Sequence, residues 1–200
     1  MGIEGYESLV PVNFEEVPVY WCKALPGQEE SFRDGGTTWQ VDISLDEGMF
    51  ESLEDAGFNA KAPDKKVIRA AEKEEATDKD RLRAATEQER GFYIRAIRNK
   101  FQYGKDEKGK LDRTVILKEN APPVVVDGKR NPWPSDKLIG NGSICNIECV
   151  ARYYSSNKYI TLYLLAIQVV EYVAPKVPVD PETGEPIETT KVGSTFKVYE

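Results

Sequence analysis

The sequence predicts a mainly β protein, an antiparallel barrel of about five strands with one short helix. Two observations lead to this fold class. Apolar and polar residues alternate in several stretches between positions 38 and 172, as they do in half-buried strands. Glycine, proline, asparagine and aspartate separate these stretches and predict turns. A chain of 200 residues that is 40% hydrophobic can form one domain with a packed core.

The central predicted element is a hairpin within residues 137–172. A strand over 144–154 is followed by the polar turn 155–157 and a longer strand over 158–172. The residues expected to face inward are Cys145, Ile147, Cys149, Ala151, Ile160, Leu162, Leu164 and Ala166. Tyrosines and cations then gather at one end of this hairpin. They form either ordinary cross-strand packing pairs or a platform on which bases stack beside cations.

Further strands are predicted over residues 17–23, 38–45, 92–101, 113–117 and 124–126. The clearest is the strand over 38–45, in which Trp39, Val41, Ile43 and Leu45 fall on one face. Asp46 then provides an N-cap for the one short helix, which we expect to end near Gly57. We expect residues 1–16 to be irregular.

Two segments are expected to lie outside the barrel. Residues 59–90 are rich in charges of both signs and have only a thin apolar stripe, which predicts a partly helical or mobile insertion that packs weakly. Residues 174–200 contain several prolines and are mildly acidic, which predicts a C-terminal tail. Residues 1–173 then form the single domain.

The distribution of charge matters more than its total. The net charge is −7, which by itself disfavours binding to a polyanion. Residues 91–171, however, carry 13 basic and 8 acidic side chains, a net charge of +5. Because a ligand responds to the local field, the basic half of the chain is a candidate surface for nucleic acid. Its predicted hairpin tip over 103–110 contributes the DNA-binding candidates Lys105 and Lys110.

Several classes of function are disfavoured by what the sequence lacks. Without histidine there is no Ser-His or Cys-His pair, and no glycine-rich phosphate motif occurs. We therefore expect neither an enzyme nor a bound metal or cofactor, and we interpret the three cysteines as small core residues. No apolar run reaches the roughly 18 residues of a membrane span. The first residues do not resemble a signal peptide, so we expect a cytoplasmic location.

The sequence resembles the single-stranded-DNA-binding proteins of podovirus-type bacteriophages. Residues 38–45, followed by a helix, are similar to their early strand–helix unit. The motif 138–143, the pair Tyr153-Tyr154 and the strand 162–172 are similar to their closing hairpin. The resemblance covers roughly residues 17–57 and 92–172 and implies an OB-fold barrel. It also implies a protein of the host cytoplasm that coats single-stranded DNA without sequence preference in replication, recombination and repair, and that helps strands anneal.

The resemblance also implies where DNA binds, since family members use basic and aromatic residues of the barrel groove. The corresponding candidates are Arg95, Arg98, Lys100, Arg152, Tyr154, Lys158, Tyr159 and Tyr163. Family members also end in a strongly acidic tail with an aromatic tip that recruits polymerase and helicase. The tail of this chain is only mildly acidic, but Phe196 and Tyr199 keep aromatic residues near its end as partner-binding candidates. A homodimer is left open.

Two other functions compete with this reading. The first is a virion or adaptor protein whose β-barrel binds only protein partners, which would agree with the acidic total charge. The second is a metal-dependent nuclease, although no arrangement of residues in the sequence is typical of such a site.

Overall fold

The structure is a computed structural model that describes residues 9–31, 36–153 and 159–176. In chain order its elements are β1 (Leu9–Lys23), β2 (Glu30–Ser31), β3 (Thr37–Leu45), α1 (Glu47–Asp55), β4 (Ala60–Lys61), α2 (Lys65–Ala71), α3 (Asp78–Arg90), β5 (Phe92–Asn99), β6 (Phe101–Lys105), β7 (Leu111–Glu119), β8 (Val124–Asp127), β9 (Ser143–Arg152) and β10 (Thr161–Glu171). No helix among these described residues is long and apolar enough to span a membrane.

Five of the strands pair in a ring. The order is β1, β3, β5, β10, β9 and back to β1. Four of these pairs are antiparallel, but β5 and β10 are parallel, with Leu162 opposite Ala96. The expectation of a wholly antiparallel set of strands was therefore wrong. The reason is geometric: strands in a ring with an odd number of members cannot all run antiparallel to both neighbours.

The core lies inside this ring and matches the predicted alternation as far as Leu164. The prediction was wrong for Ala166, because a register shift after Leu164 turns Ile167 inward instead. Val41, Ile43, Cys145, Ile147 and Leu164 are fully buried. The helix α1 follows its N-cap Asp46 and packs Met49, Phe50 and Leu53 against the core. Burial raises the pKa of Cys145 and Cys149 to about 12, which is consistent with cysteines that serve as small core residues.

Some predicted boundaries differ from the structure. The strand β1 begins at Leu9, so the expectation of an irregular chain was wrong for residues 9–16. Nine of its residues pair with β9, and this long-range pairing outweighs the local effect of Pro11. The predicted turn over 155–157 lies outside the described residues.

Within the insertion over 59–90, which we expect to be partly helical or mobile, the structure has the two helices α2 and α3, so that with α1 the described residues contain three helices. Thr77 caps α3 with a reciprocal capping box with Asp80. Gly91 ends α3 with a φ of 64°. The last turn of α3 is anchored to the sheet, because Glu87 and Arg90 are buried, whereas we had expected the segment to pack weakly.

The anchor of α3 is a group of four charged residues that we call the Asp42 cluster: Asp42, Glu87, Arg90 and Arg95. Arg90 forms ion pairs with Asp42 and, at 2.5 Å, with Glu87. Arg95 donates to both carboxylate oxygens of Asp42, at 2.5 and 2.9 Å. Asp42 is only 1% exposed. The cluster therefore balances two buried carboxylates with two guanidinium groups on the outer face of β3 and β5.

Two rings complete the cover over the Asp42 cluster. The guanidinium carbon of Arg90 lies 3.4 Å from the centroid of the Tyr93 ring and 4.5 Å from that of Trp21. Cation–π contacts of this kind stabilise a desolvated guanidinium. This part of the outer face is thus covered by the protein itself.

A glycine-rich turn holds the start of β9 and the chain that leaves β10. The amide of Gly140 donates to the carbonyl of Val173 at 3.0 Å, and the amide of Val173 donates to Ser143 Oγ at 3.0 Å. Asn141 Oδ1 accepts from the amide of Trp21 at 2.8 Å. The turn therefore connects β1, β9 and the segment after β10.

We expect the substitution Asp42→Asn to lower the free energy of unfolding by about 3–5 kcal/mol, since it leaves the buried guanidinium group of Arg90 and the half-buried one of Arg95 without their shared anion. Urea unfolding followed by tryptophan fluorescence measures the loss. The control is Asp55→Asn at an exposed position of α1, which we expect to change stability by no more than about 0.5 kcal/mol. Equal stability of the two variants would contradict the anchoring role.

We expect Gly140→Ala to destabilise the fold by about 1–3 kcal/mol through overpacking. A Cβ atom at this position would lie 2.4 Å from the carbonyl oxygen of Val173, and backbone cannot move aside as a flexible side chain does. The matched control is Gly48→Ala in α1, where the nearest atom would be 3.5 Å away. Chemical denaturation of both variants checks the prediction, and a Gly140→Ala protein as stable as the control would refute it.

Candidate nucleic-acid interface

The outer face of the ring carries Tyr163 at its centre. Tyr163 lies opposite Ile97 of β5 and opposite Val150 of β9. Its neighbours Leu162 and Leu164 are buried, so alternation directs Tyr163 away from the core. Side chains opposite one another on neighbouring strands share a face, so Ile97 and Tyr163 lie on the same side of the sheet.

Two arginines lie against the Tyr163 ring. The guanidinium carbon of Arg152 is 3.2 Å from the ring centroid and that of Arg98 is 5.3 Å away. Arg98 Nε also donates to the carbonyl of Ala121 at 2.7 Å. Within the described residues no carboxylate forms an ion pair with Arg98. Its positive charge is therefore oriented by the protein but not neutralised by an acid.

A groove of about 380 Å³ opens next to these residues. One wall comes from the outer face of β3 and β5, through Thr38, Ile97 and Asn99, and the other from the β6–β7 hairpin, through Phe101, Tyr103, Leu111 and Arg113. Ile97 both lines the groove and lies opposite Tyr163, so the two features adjoin. We use the name cation–aromatic face for Ile97, Arg98, Phe101, Tyr103, Arg113, Arg152 and Tyr163.

The hairpin wall of the groove is built by local packing. The rings of Phe101 and Tyr103 are 6.1 Å apart and tilted by 60°, and the Arg113 guanidinium carbon is 5.9 Å from the Tyr103 centroid. The amide of Lys100 donates to the carbonyl of Thr37 at 2.9 Å, which ties the base of the hairpin to β3. Gly104 leaves room for Val115, since a Cβ atom there would come within 2.8 Å of that side chain.

Two of the predicted DNA-binding cations are paired with carboxylates. Arg95 belongs to the Asp42 cluster, and its hydrogen bonds to Asp42 raise the pKa of Arg95. Lys100 Nζ lies 3.1 Å from Glu29 and 3.8 Å from Glu119. To bind a phosphate, each of these cations would have to exchange or share its present partner.

The remaining predicted residues are more scattered. Lys105 is exposed on β6, and Lys110 is exposed just before β7. Tyr159 is 42% exposed and precedes β10. Tyr154, Lys158, Phe196 and Tyr199 lie outside the described residues. The structure thus brings Arg98, Arg152 and Tyr163 together.

Sequence reasoning missed Phe101, Tyr103 and Arg113 as a group. It placed Phe101 at the end of a strand and Tyr103 in a flexible tip. The available signal was the alternation of Phe101, Tyr103 and Lys105, followed by Arg113 on the returning strand. Two rings and two cations on one side of a hairpin are typical of surfaces that hold single strands.

No protein-family model matches the chain, and no curated protein matches it significantly. Among solved structures, gp2.5, a single-stranded DNA binding protein encoded by bacteriophage T7, shares 14% identity, with 94% of this chain and 100% of that chain covered at a TM-score of 0.48. The single-stranded DNA-binding protein of bacteriophage Enc34, in complex with single-stranded DNA, shares 12% identity, with 82% and 88% covered at a TM-score of 0.48. Both are phage proteins of the kind that the sequence resembles. Identity and TM-score are low, so the function proposed below depends on this chain's own residues.

Proposed function

We propose that this protein is not an enzyme and that it binds single-stranded DNA without sequence preference through the cation–aromatic face. The observation that carries the proposal is the contact of Arg152 and Arg98 with the Tyr163 ring, directly beside a groove with two more rings. Rings can stack on any base and guanidinium groups can bind any phosphate. Such a surface holds an unpaired strand whatever its sequence.

The arrangement of strands supports an OB-type barrel. An OB-fold is a five-stranded barrel that binds oligonucleotides on the face of its second and third strands. In this chain the second and third strands of the ring are β3 and β5. Their outer face provides Thr38, Ile97 and Asn99 of the groove, so the groove lies on the strands with which such a barrel binds its ligand.

The proposed biological role is supported by the resemblance of the sequence to phage single-stranded-DNA-binding proteins, whereas the binding surface is proposed from this chain's own residues. The protein protects unwound strands during phage DNA replication, recombination and repair in the host cytoplasm, and assists their annealing. Phe196 and Tyr199 of the tail are the proposed contacts with a polymerase or helicase. A homodimer is compatible with this role and is decided by measuring the mass in solution.

A second candidate is a protein-only adaptor, and one observation favours it. The strand β7 exposes four aliphatic side chains: Leu111, Val115, Ile116 and Leu117, which are 58%, 43%, 54% and 63% exposed. Exposed aliphatic side chains that lie together often mark a protein contact. An adaptor of this kind would bind a protein partner and leave an oligonucleotide unbound.

The test is a titration with oligo(dT) at several salt concentrations, followed by intrinsic fluorescence. We expect log K to fall linearly with log salt, since each phosphate contact on a single strand contributes about −0.7 to the slope. Removing two cations with Arg98→Gln and Arg152→Gln should make the slope less negative by about 1.4. Absence of binding at low salt would eliminate the proposal and leave the adaptor.

The control variant loses the same net charge, but at positions outside the cation–aromatic face. Arg69 and Lys79 are exposed on α2 and α3, and Arg69→Gln with Lys79→Gln removes two charges there. We expect the slope of this double variant to equal that of the unsubstituted protein. An equal loss of slope in both double variants would show that only the total charge matters, which would exclude the assigned face.

The aromatic part of the face is tested separately. We expect Tyr159→Ala combined with Tyr163→Ala to weaken binding of oligo(dT) by about tenfold or more, because each stacked base contributes roughly 1–3 kcal/mol. The control is Tyr172→Ala, a similarly exposed tyrosine just after β10 that packs on Trp133. If the double variant keeps full affinity while folded, these tyrosines are packing residues and the platform lies elsewhere.

A further inference from the structure

We propose that the groove between the outer face of β3–β5 and the β6–β7 hairpin is a subsite for a single unpaired base. In this subsite the base stacks against Tyr103 and its polar edge bonds to Thr38. The inference rests on the proposed function and deepens it. It identifies the groove as the place where affinity depends on the base itself and not only on the phosphates.

The size of the groove suits one base. Clefts that bind small organic ligands enclose about 300–1,000 Å³. The groove encloses about 380 Å³, at the small end of that range. It can therefore receive one planar ring system but not a folded stretch of nucleic acid.

The hairpin wall provides the stacking surface. Tyr103 and Phe101 are both half-buried, and Ile97 gives the groove an apolar floor. The guanidinium group of Arg113 lies 5.9 Å from the Tyr103 ring centroid, within reach of the phosphate next to a base stacked on that ring. Stacking of this kind accepts every base, since every base has a π face.

The sheet wall provides the polar contact. Thr38 lines the groove and is 6% exposed, and its Oγ1 is buried without a hydrogen-bond partner among the described residues. A buried hydroxyl group without a partner costs free energy, so its persistence calls for an explanation. For a base to reach it, the side chain must rotate about χ1 to a staggered position that faces the groove. There it can donate to or accept from the edge of a base.

The path of the bound DNA strand follows from the register of the β-sheet. Ile97 is shared by the groove and by the neighbourhood of Tyr163. A DNA strand whose phosphates contact Arg98 beside Tyr163 therefore has its next bases at the mouth of the groove. The occupant is a base of that same strand rather than a free nucleotide or a side chain of a protein.

The test compares two probes of equal length and charge, oligo(dT) and an oligonucleotide of abasic sites. The variants are Tyr103→Leu, which keeps an apolar wall without the ring, and Thr38→Val, which replaces the hydroxyl group with a methyl group. We expect preference for oligo(dT) over the abasic probe to fall about tenfold in Tyr103→Leu and about fivefold in Thr38→Val. Affinity for the abasic probe and the salt slope should not change.

Stability measured without DNA separates this role from a structural one. Because Thr38→Val removes an unpaired buried hydroxyl group, we expect its unfolding midpoint to equal or exceed that of the unsubstituted protein. The control is Thr86→Val on α3, distant from the groove, where the hydroxyl group bonds to the carbonyl of Leu82. It should leave the preference between the two probes unchanged.

The outcomes distinguish the subsite from the proposed function. If the protein binds oligo(dT) in a salt-dependent way but both groove variants keep the full preference over the abasic probe, the subsite is wrong and DNA binding stands. If Tyr103→Leu weakens both probes equally, the groove contacts backbone, which also overturns the subsite. If the unsubstituted protein binds neither probe, the proposed function itself fails.

Discussion

The architecture depends on one carboxylate group that would be unstable without its partners. Asp42 points out of the ring yet is 1% exposed, because Arg90 and Arg95 bind it from two sides. Its pairing ties the end of α3 to β3 and β5, and Gly91 then turns the chain directly into β5. Ile97 and Arg98 follow on that strand. The Asp42 cluster therefore fixes α3 to the strand that carries two residues of the cation–aromatic face.

The same cluster divides the outer face of the ring into two electrostatic parts. Around Asp42 two acidic and two basic side chains balance one another, and Trp21 and Tyr93 cover Arg90. Beyond Ile97 the face presents Arg98 and Arg152 beside Tyr163. A polyanion gains little from the first part, and the second part is where we propose that DNA binds. A protein with a net charge of −7 can thus have a local surface that suits DNA.

Local sequence patterns predicted those features of the fold that depend only on neighbouring residues, such as which side chains of a strand face the core. Alternation identified Val41, Ile43, Cys145 and Ile147 as core, because successive side chains of a strand point to opposite faces. The same rule placed Asp42 outside and could not show that it is buried, since its partner Arg90 lies 48 positions away. The charged helices α2 and α3 were expected to be solvated for the same reason, since local patterns do not show contacts with residues that are distant in the sequence. The parallel pairing of β5 with β10 could have been deduced, because a closed ring of five strands must contain at least one parallel pair.

The sequence predicted residue types that the structure has on the candidate face, but it did not predict the contacts between them. The sequence identified Arg98, Arg152 and Tyr163 as candidates, and the structure shows that Arg152 already stacks on the Tyr163 ring. This contact bears on how a strand binds. A base can stack on the outer plane of a guanidinium group as well as on a ring, while the N–H groups at the edge of that plane remain able to reach a phosphate. Because the ring holds the arginine in place beforehand, less side-chain freedom is lost when DNA binds. The arginine thereby extends the stacking surface that the tyrosine begins.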